Sequence, residues 1–537
     1  MSEQQRIFAA VAACLGILIV WQFLVVKPET EKRPKAPIAA TAQNNNASTP
    51  SANNNNNTPT PAAEAKPPVE ATPELVPEEK KSIDTPLFTA ELSNQGASIT
   101  KLELKGYDEK SEGKGPKKPV SLVTALRAGA PRQAWLDLTV NGKPAPALVW
   151  DSTAAEPTLV GRSGDGTTVE VKVTPRAEVY ALDYTLSVVN GTAAALPVSG
   201  KVILSLKPVV KQKSSFFAPP ADMMNGLCAS ASKVERKVAE TLAKDGAFTH
   251  EGAADWAGID RQYFVVALVP KIPEAATCKM ASEEIKHADG EIDHALHVDY
   301  GFVAESVAPG QIWTRTYTVY LGPKRTDRLQ AAAPVLGDVI DYVIWGIPLG
   351  FLARPMVFLM NTFHGWTTSW GIAIMMLTLI VKLLLFPVTY KSSLSMRKMQ
   401  LLKPELDKIK KQFADNKERQ QLEQMKLFKE KGVNPLGGCI PMLLQMPVWL
   451  ALYRTLWSAV DLYQQSFLWI PDLTAKEPFP FMAIALGGLT YLQQKLQPTT
   501  MDSQQAKMML YMMPAMMLLF MIALPSGPCS TFSSTAS

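Results

Sequence analysis

The sequence predicts two joined parts: a polytopic α-helical bundle that crosses a membrane, and a large all-β domain outside the cytoplasm. Long uninterrupted apolar segments fall at the start of the chain and again in its last third. Between them, short runs alternate apolar and polar residues and are separated by turn residues such as Asn141 and Gly142. The first pattern is typical of membrane spans and the second of antiparallel strands.

Composition argues against several functions for the 537 residues. The formal net charge of +5 is too small to indicate nucleic acid as the main partner, so we expect no DNA partner. Five Cys and five His form neither a C-x-x-C pair nor an H-E-x-x-H motif, so we expect no metal site. The sequence lacks a phosphate-binding G-x-x-x-x-G-K-S/T motif, which argues against a nucleotide-driven motor. We therefore expect no cofactor and no catalytic residues.

Five apolar segments predict five membrane spans. The first, 7–26, has twenty residues without a charge, which is long enough to cross about 30 Å of hydrocarbon. No small-x-small cleavage site follows it, so we assign 1–27 to an uncleaved N-terminal anchor. The remaining spans are assigned to 368–390, 438–460, 478–494 and 508–525.

Charge predicts the orientation of the spans, because Lys and Arg accumulate on the cytoplasmic side. Residues 391–437 contain twelve basic and six acidic residues, whereas 461–477 contains one Lys and three acidic residues. We therefore expect 391–437 and the short loop 495–507 in the cytoplasm, and the loop 461–477 outside. Residues 28–367 then lie largely outside as well, although the basic residues directly after the first span favour the opposite orientation.

The portion outside the cytoplasm divides by composition. Residues 28–84 are rich in Pro, Ala, Thr and Asn and nearly free of large apolar residues, so we expect a disordered linker. Residues 85–323 alternate with period two and carry frequent turn signals, which predicts an antiparallel sandwich with one helical stretch at 232–243. Apolar residues at helical spacing follow in 324–367 and predict an amphipathic helix at the membrane surface.

Cys228 and Cys278 both lie in the predicted outside domain. A disulfide is compatible with that compartment, but spacing alone does not decide whether it forms. Large β-sandwiches also occur in enzymes that act on sugars. Because the His residues of this domain are scattered and no paired acid–base motif occurs, we expect no enzyme.

A charged residue inside a predicted span is the strongest functional signal. Lys382 interrupts the apolar run of the second span, where an ionisable residue costs roughly 2.5–3.5 kcal/mol on insertion scales. Thr378 lies one turn earlier on the same helix face, and Gln445 places an amide in the third span. These three residues predict a polar recess between helices. The alternative is a Lys whose side chain extends to the cytoplasmic surface.

The basic segment 391–437 has apolar residues at helical spacing, interrupted at 414–416, which predicts an antiparallel helical hairpin. Its positive face offers contacts for lipid headgroups, ribosomal RNA or an acidic chain. The alternative is a solvated connector. The candidate contact residues are Arg397, Lys398, Lys408, Lys410 and Lys411.

Four motifs resemble those of the YidC family of bacterial membrane protein insertases. They are 432–439 (GVNPLGGC), 445–453 (QMPVWLALY), 497–500 (QPTT) and 524–527 (LPSG). Their order and spacing are specific, and the layout of 1–527 is similar to the long Gram-negative form of the family, which has a periplasmic domain.

The resemblance implies a multi-pass protein of the inner membrane that inserts and helps fold inner-membrane proteins, alone or beside the Sec translocon, without nucleotide hydrolysis. It implies a hydrophilic groove whose cation corresponds to Lys382 and whose polar lining includes Thr378 and Gln445. It also implies a β-supersandwich in the periplasm. The implied partners are nascent inner-membrane proteins, the Sec translocon, the ribosome with the signal recognition particle pathway, and the lipid bilayer.

Two other function classes stay open at this point. A small-solute transporter needs more intramembrane charges than this sequence offers beyond Lys382. A membrane-anchored periplasmic protein that binds carbohydrate or serves a structural role needs neither a charged groove nor a basic hairpin.

The C-terminal residues 526–537 depart from the family, which continues into a sixth span. We translated residues 529–537 back into codons, with Ser as TCN, and then started each codon one base earlier. In the shifted frame, six of the nine codons have a central T and encode apolar residues. This pattern favours a frameshift near codon 528, in the gene or in its sequencing, over a chance Ser- and Thr-rich tail.

Genomic DNA sequenced from codon 520 onward tests the frameshift. We expect that restoring one base opens an apolar span of about twenty residues. A reading frame that stands as written leaves five spans and contradicts the hypothesis.

Overall fold

The structure of the chain is a computed structural model. The residues that it describes are 76–109, 118–123, 126–127, 130–131, 133–207, 224–230, 233–286, 292–344, 347–433, 440–475, 480–496 and 503–523. The predicted anchor at 1–27, most of the predicted linker and the C-terminal tail at 526–537 lie outside the described residues.

Antiparallel strands and one short helix make up the first part of the described chain. In chain order, β1–β21 are Lys80–Asp84, Phe88–Ser93, Ile99–Asp108, Pro119–Ser121, Leu126–Arg127, Ala130–Pro131, Trp135–Val140, Lys143–Pro144, Val149–Trp150, Thr158–Arg162, Thr168–Arg176, Ala181–Val189, Leu196–Leu206, Asn225–Ser230, Lys233–Val238, Phe248–Thr249, Trp256–Asp260, Phe264–Pro270, Thr277–Lys286, Ile292–Val307 and Ile312–Pro323. Helix α1, Ala239–Asp245, lies between β15 and β16.

The described strands form two large sheets around one apolar core. One sheet has nine strands in the order β15-β14-β17-β18-β21-β12-β11-β10-β9, and the other has six in the order β16-β19-β20-β13-β7-β8. A four-stranded sheet, β1-β2-β3-β4, contributes side chains to the same core. This arrangement confirms the prediction of a β-rich domain in this region.

Burial with period two explains why these strands form. In β11, Val169, Val171 and Val173 are buried, whereas Glu170 between them is exposed. Val171 lies opposite the buried Leu186 of β12. Full burial of one such side chain stabilises the fold by about 1.5–3 kcal/mol. Strands β17 and β18 bury every residue, as expected where both faces of a sheet are covered.

A disulfide joins Cys228 on β14 to Cys278 on β19. These strands belong to different sheets, so the bond links the nine-stranded sheet to the six-stranded one. Both side chains are fully buried in the shared core.

Two boundaries predicted for this region are wrong. The predicted linker extends to residue 84, whereas Lys80–Asp84 is the edge strand β1, paired with β2 along its whole length. Ile83 is the one buried residue of this strand, which explains why its composition resembles that of a linker. The helical stretch predicted at 232–243 is strand β15 followed by α1, because pairing with β14 overrides the local helical spacing.

Most described residues after the sheets are helical. In chain order, α2–α9 are Thr326–Ala332, Gly350–Thr367, Trp370–Leu401, Lys403–Gln412, Lys417–Glu430, Ile440–Ser458, Phe481–Leu496 and Ser503–Ala523. Short 3-10 turns occur at Gln95–Ala97, Pro334–Val339 and Val460–Leu462, and a small hairpin is made by β22, Val343–Ile344, and β23, Ile347–Pro348. The chain therefore consists of a β-rich domain followed by a helical C-terminal region.

The single amphipathic helix predicted at 324–367 is wrong in its first part. The backbone N–H of Val343 donates to the Asp341 carboxylate at 2.8 Å, and this turn precedes the β22–β23 hairpin. Helix α3 begins only at Gly350. At the other end of the region, α4 continues to Leu401, past the span boundary predicted at residue 390.

Among the described residues, α4 is the one helix that combines the length and the apolar composition of a membrane span. Its 32 residues extend about 48 Å at 1.5 Å per residue, more than the roughly 30 Å of a hydrocarbon core. The predicted number of spans stays a prediction.

We expect removal of the disulfide to lower the stability of the β-rich domain. The bond joins residues 50 positions apart, and a cross-link over such a loop stabilises by about 2–4 kcal/mol. The Cys228→Ser, Cys278→Ser double variant should lose free energy of unfolding in that range, measured by urea unfolding of the full chain in detergent. Reductant should bring the wild type to the same value, and a double variant as stable as the oxidised wild type contradicts the prediction.

Candidate functional site

Helix α4 carries the charge that suggested a function. Lys382 is half-buried, in a stretch where Leu379 and Leu383 are exposed. Thr378, one turn earlier, is 3% exposed, and its hydroxyl donates to the carbonyl of Met375 at 2.8 Å. Lys382 thus lies at the border between the exposed apolar face and the packed face of α4, and Thr378 lies within the packed face.

Helix α7 carries the predicted amide. Gln445 is half-buried, whereas Leu443, Leu444 and Met446 around it are exposed. The second half of the helix is packed, with Leu450 and the residues that follow it largely buried. Gln445 therefore lies where α7 passes from an exposed to a packed section.

Helices α3, α4 and α7 share an apolar core, which fixes α4 against α7. The core residues from these helices are Met356, Met360, Phe363, Ala373, Ile374, Leu377, Leu450, Ala451, Leu452 and Leu456.

Lys382 and Gln445 lie at a similar depth along their helices. A methyl group at Gly371 would overlap the ring of Phe467, so the loop after α7 packs directly on the start of α4. Lys382 is twelve residues from the start of α4, or about 18 Å, and Gln445 is thirteen residues from the end of α7, or about 20 Å. Counted from these two helix ends, the two depths differ by less than one helical turn.

Two prolines add backbone polarity at this depth. Pro387 in α4 and Pro447 in α7 have no N–H, so the carbonyls of Leu383 and Leu443, four residues earlier, lose their usual helical donor. Each of these carbonyls lies within two residues of one of the polar side chains. The sequence analysis did not predict these two carbonyls without a helical donor, although the prolines indicate them.

Helices α5 and α6 form a hairpin with a small apolar core of its own, in which Leu402, Leu406 and Leu427 are buried. Asn416 caps α6 by accepting a hydrogen bond from the backbone N–H of Arg419 at 3.0 Å. The connection between the two helices falls where the sequence pattern is interrupted.

The five predicted hairpin contacts are divided between two helices. Arg397 and Lys398 are exposed on the extension of α4, because this helix runs to Leu401, and they are not part of the α5–α6 hairpin. Lys408 and Lys411 are exposed on α5, and Lys410 is half-buried there.

The β-rich domain contains a hydrogen-bonded chain that sequence reasoning missed. Ser205 Oγ lies 2.7 Å from His297 Nδ1, and His297 Nε2 lies 3.0 Å from Glu283 Oε2. The three residues come from the neighbouring strands β13, β20 and β19, so their spacing in the sequence does not show that they are in contact. Ser205 is 1% exposed, so its hydroxyl is closed to a substrate. The three hydrogen-bonded side chains therefore link neighbouring strands. The described residues also hold no group of three His, Cys, Asp or Glu arranged for a metal ion.

Comparison with known families also divides the chain into two parts, with the boundary inside α3. A family model described as YidC periplasmic domain matches residues 80–359, and one described as 60Kd inner membrane protein matches residues 362–529. The chain is therefore a membrane protein with a periplasmic domain that is rich in β-sheet.

Its relatives are similar over nearly their whole length. Membrane protein insertase YidC from Anaeromyxobacter dehalogenans strain 2CP-C is 35% identical, over 98% of this chain and 93% of the relative. The protein of the same name from Oleidesulfovibrio alaskensis is 31% identical, over 98% of this chain and 96% of the relative. The chain belongs to the YidC membrane protein insertase family, whose members act on inner-membrane proteins in the lipid bilayer.

Similarity to solved structures is weaker. A crystal structure of an active YidC insertase is 17% identical, covers 86% of this chain and 91% of that chain, and has a TM-score of 0.36. A galactose mutarotase related enzyme from Lactobacillus acidophilus is 10% identical, covers 45% of this chain and 97% of that chain, and has a TM-score of 0.31. At these scores neither similarity bears on function.

Proposed function

We propose that this chain inserts and helps fold inner-membrane proteins through a hydrophilic groove between α4 and α7, without hydrolysing a nucleotide. Membership of the insertase family supports the activity. The observation that carries the groove is the half-buried Lys382, which lies at a similar depth along its helix to Gln445, each within two residues of a carbonyl freed by proline. In this proposal the chain crosses the inner membrane several times, with the β-rich domain in the periplasm and 391–437 in the cytoplasm.

The groove lowers the barrier for a polar substrate tail. A wet recess from the cytoplasmic side shortens the hydrocarbon path that the tail crosses. Lys382 attracts an acidic tail, because two unit charges 4 Å apart attract by about 4 kcal/mol at an effective dielectric constant near 20 and by about 1 kcal/mol in water. The apolar segment that follows the tail then moves sideways into lipid, and its burial contributes about 25 cal/mol per Å².

The exposed basic residues support a role in substrate delivery. Arg397 and Lys398 on α4, with Lys408 and Lys411 on α5, present positive charge to the solvent. Such a surface attracts the phosphates of ribosomal RNA or of lipid headgroups. The proposed partners are nascent inner-membrane proteins and the lipid bilayer, with the Sec translocon and the ribosome–signal recognition particle pathway as routes of delivery.

Substitution of Lys382 tests the groove. We expect Lys382→Ala to slow insertion of an acidic-tailed substrate roughly tenfold, the effect of losing about 1.4 kcal/mol of attraction. Lys382→Arg keeps the charge and should insert at close to the wild-type rate. Protease protection of the translocated tail in proteoliposomes measures both rates.

A substrate with a neutral tail is the matched control, and its insertion should change little in the Ala variant. Wild-type insertion of every acidic-tailed substrate by Lys382→Ala removes this residue from the mechanism.

Deletion of 85–323 tests the place of the sandwich in the reaction. Because the groove residues all lie on α4 and α7, we expect the stably expressed deletion variant to retain most insertion activity. The same protease-protection assay measures this, with solute flux through the proteoliposomes as a check for transport. Complete loss of insertion contradicts the prediction.

A further inference from the structure

Five charged side chains of alternating sign run from the β-rich domain to α7. In order they are Lys324, Asp260, Arg236, Asp341 and Arg454. Lys324 Nζ donates to Asp260 Oδ1 at 2.7 Å, and both side chains are more than nine-tenths buried. Burial lowers the pKa of Lys324, and the Asp260 carboxylate opposes this shift. Arg236 Nη1 follows at 3.7 Å from Asp260 Oδ2.

Asp341 contacts both arginines of this chain of charges. Its Oδ2 lies 3.9 Å from Arg236 Nε and 3.4 Å from Arg454 Nη2, while Arg454 Nε donates to its backbone carbonyl at 2.8 Å. Its Oδ1 accepts from the backbone N–H of Val343 at 2.8 Å, which holds the carboxylate in place. One aspartate thus joins the β-rich domain, the turn before β22 and helix α7.

The Asp341–Arg454 pair differs from an ordinary surface pair. Its side chains are 22% and 26% exposed, so reversal of one sign brings like charges together where water screens them poorly. A nearby pair, Asp338 and Arg354, lies 3.8 Å apart with both side chains about 70% exposed, and such pairs contribute little. The two pairs therefore form a matched comparison, and their aspartates are three residues apart in the chain.

We propose that Asp341 is a positioning residue: through Arg454 it fixes the height and rotation of α7, and so holds Gln445 level with Lys382. Arg454 lies nine residues after Gln445, or about 13 Å along the helix. The section between them packs in the core shared with α4, so a displacement at Arg454 is passed along α7 toward the section that carries Gln445. The inference deepens the proposed groove function and rests on it for its effect on insertion.

The proposal is compatible with the expected tolerance of the 85–323 deletion. That deletion removes Asp260 and Arg236 but retains Asp341 and Arg454, because both lie after residue 323. Both residues of the contact with α7 are therefore present in the deletion variant.

Charge exchange in the full chain tests the proposal. The variants are Asp341→Arg, Arg454→Asp and both together, all made in an Arg236→Gln background because Arg236 also contacts Asp341, and all reconstituted in proteoliposomes. Spin labels on Leu379→Cys and Leu444→Cys, both exposed positions, report the distance between α4 and α7 by pulsed electron paramagnetic resonance. The labelling background replaces three other cysteines with Ser: Cys14, Cys439 and Cys529.

We expect each single reversal to shift or broaden the α4–α7 distance by roughly 1–2 Å, the scale of helix shifts at interfaces. Insertion of an acidic-tailed substrate should fall roughly tenfold in each single variant. The double exchange should restore both the distance and the rate. The control reversals, Asp338→Arg and Arg354→Asp, should change neither.

Two outcomes overturn the proposal: an unchanged distance in both single variants, or a shifted distance that the double exchange does not restore. A distance that shifts and recovers while insertion stays at the wild-type rate supports the positioning role. In that case it is the groove function that fails, so the two failures are distinguishable.

Discussion

The apolar contact among α3, α4 and α7 is the interaction on which the helical region depends. A Lys within an apolar helix is costly unless its charge faces a polar or wet site. In α4, the residues that pack in this core, such as Ile374 and Leu377, lie near the start of the helix, and the packing ends close to Lys382. In α7, it likewise ends before Gln445 is reached. The core thus holds the helices together while leaving their polar section at its edge.

The contact between the β-rich domain and α7 combines apolar packing with buried charge. Tyr463, after α7, packs near Tyr263 and Phe264, and its hydroxyl donates to the carbonyl of Asp108 at 2.6 Å. Asp461 lies 3.4 Å from Arg325, and burial raises the pKa of Asp461 while Arg325 opposes that shift. Buried ion pairs often add little net stability, because desolvation offsets their attraction. We therefore attribute to these charges the orientation of α7 rather than a gain in stability. The aromatic contacts supply the apolar burial.

The sequence predicted the two-part layout because each part has a local signature. Period-two alternation identified the β-rich region, and uninterrupted apolar runs indicated α4, α7, α8 and α9. Lys382 stood out because charge within such a run is visible without any structure. Motifs in the last third of the chain then indicated the family, which the relatives confirm.

What the sequence did not predict depends on contacts between distant residues. Strand β15 resembles a helix locally and becomes a strand because β14 lies beside it. Asp341 and Arg454 are 113 positions apart, and nothing in either neighbourhood indicates the partner. The order of strands in the sheets likewise decides that Ser205 meets His297. Pairing with distant segments, not local propensity, governs all three cases.

A Lys suits the site on α4 for a physical reason that follows from its surroundings. An Arg presents a planar fork that needs partners in fixed directions, whereas the ammonium of Lys is compact and sits on a flexible stem. Lys382 stands at a border, with packed side chains on one side and an exposed apolar face on the other. In the proposed groove, a flexible cation at such a border follows an acidic group as that group moves. In the proposed insertase, transient attraction of this kind serves better than tight binding, because the substrate has to leave the groove for the lipid.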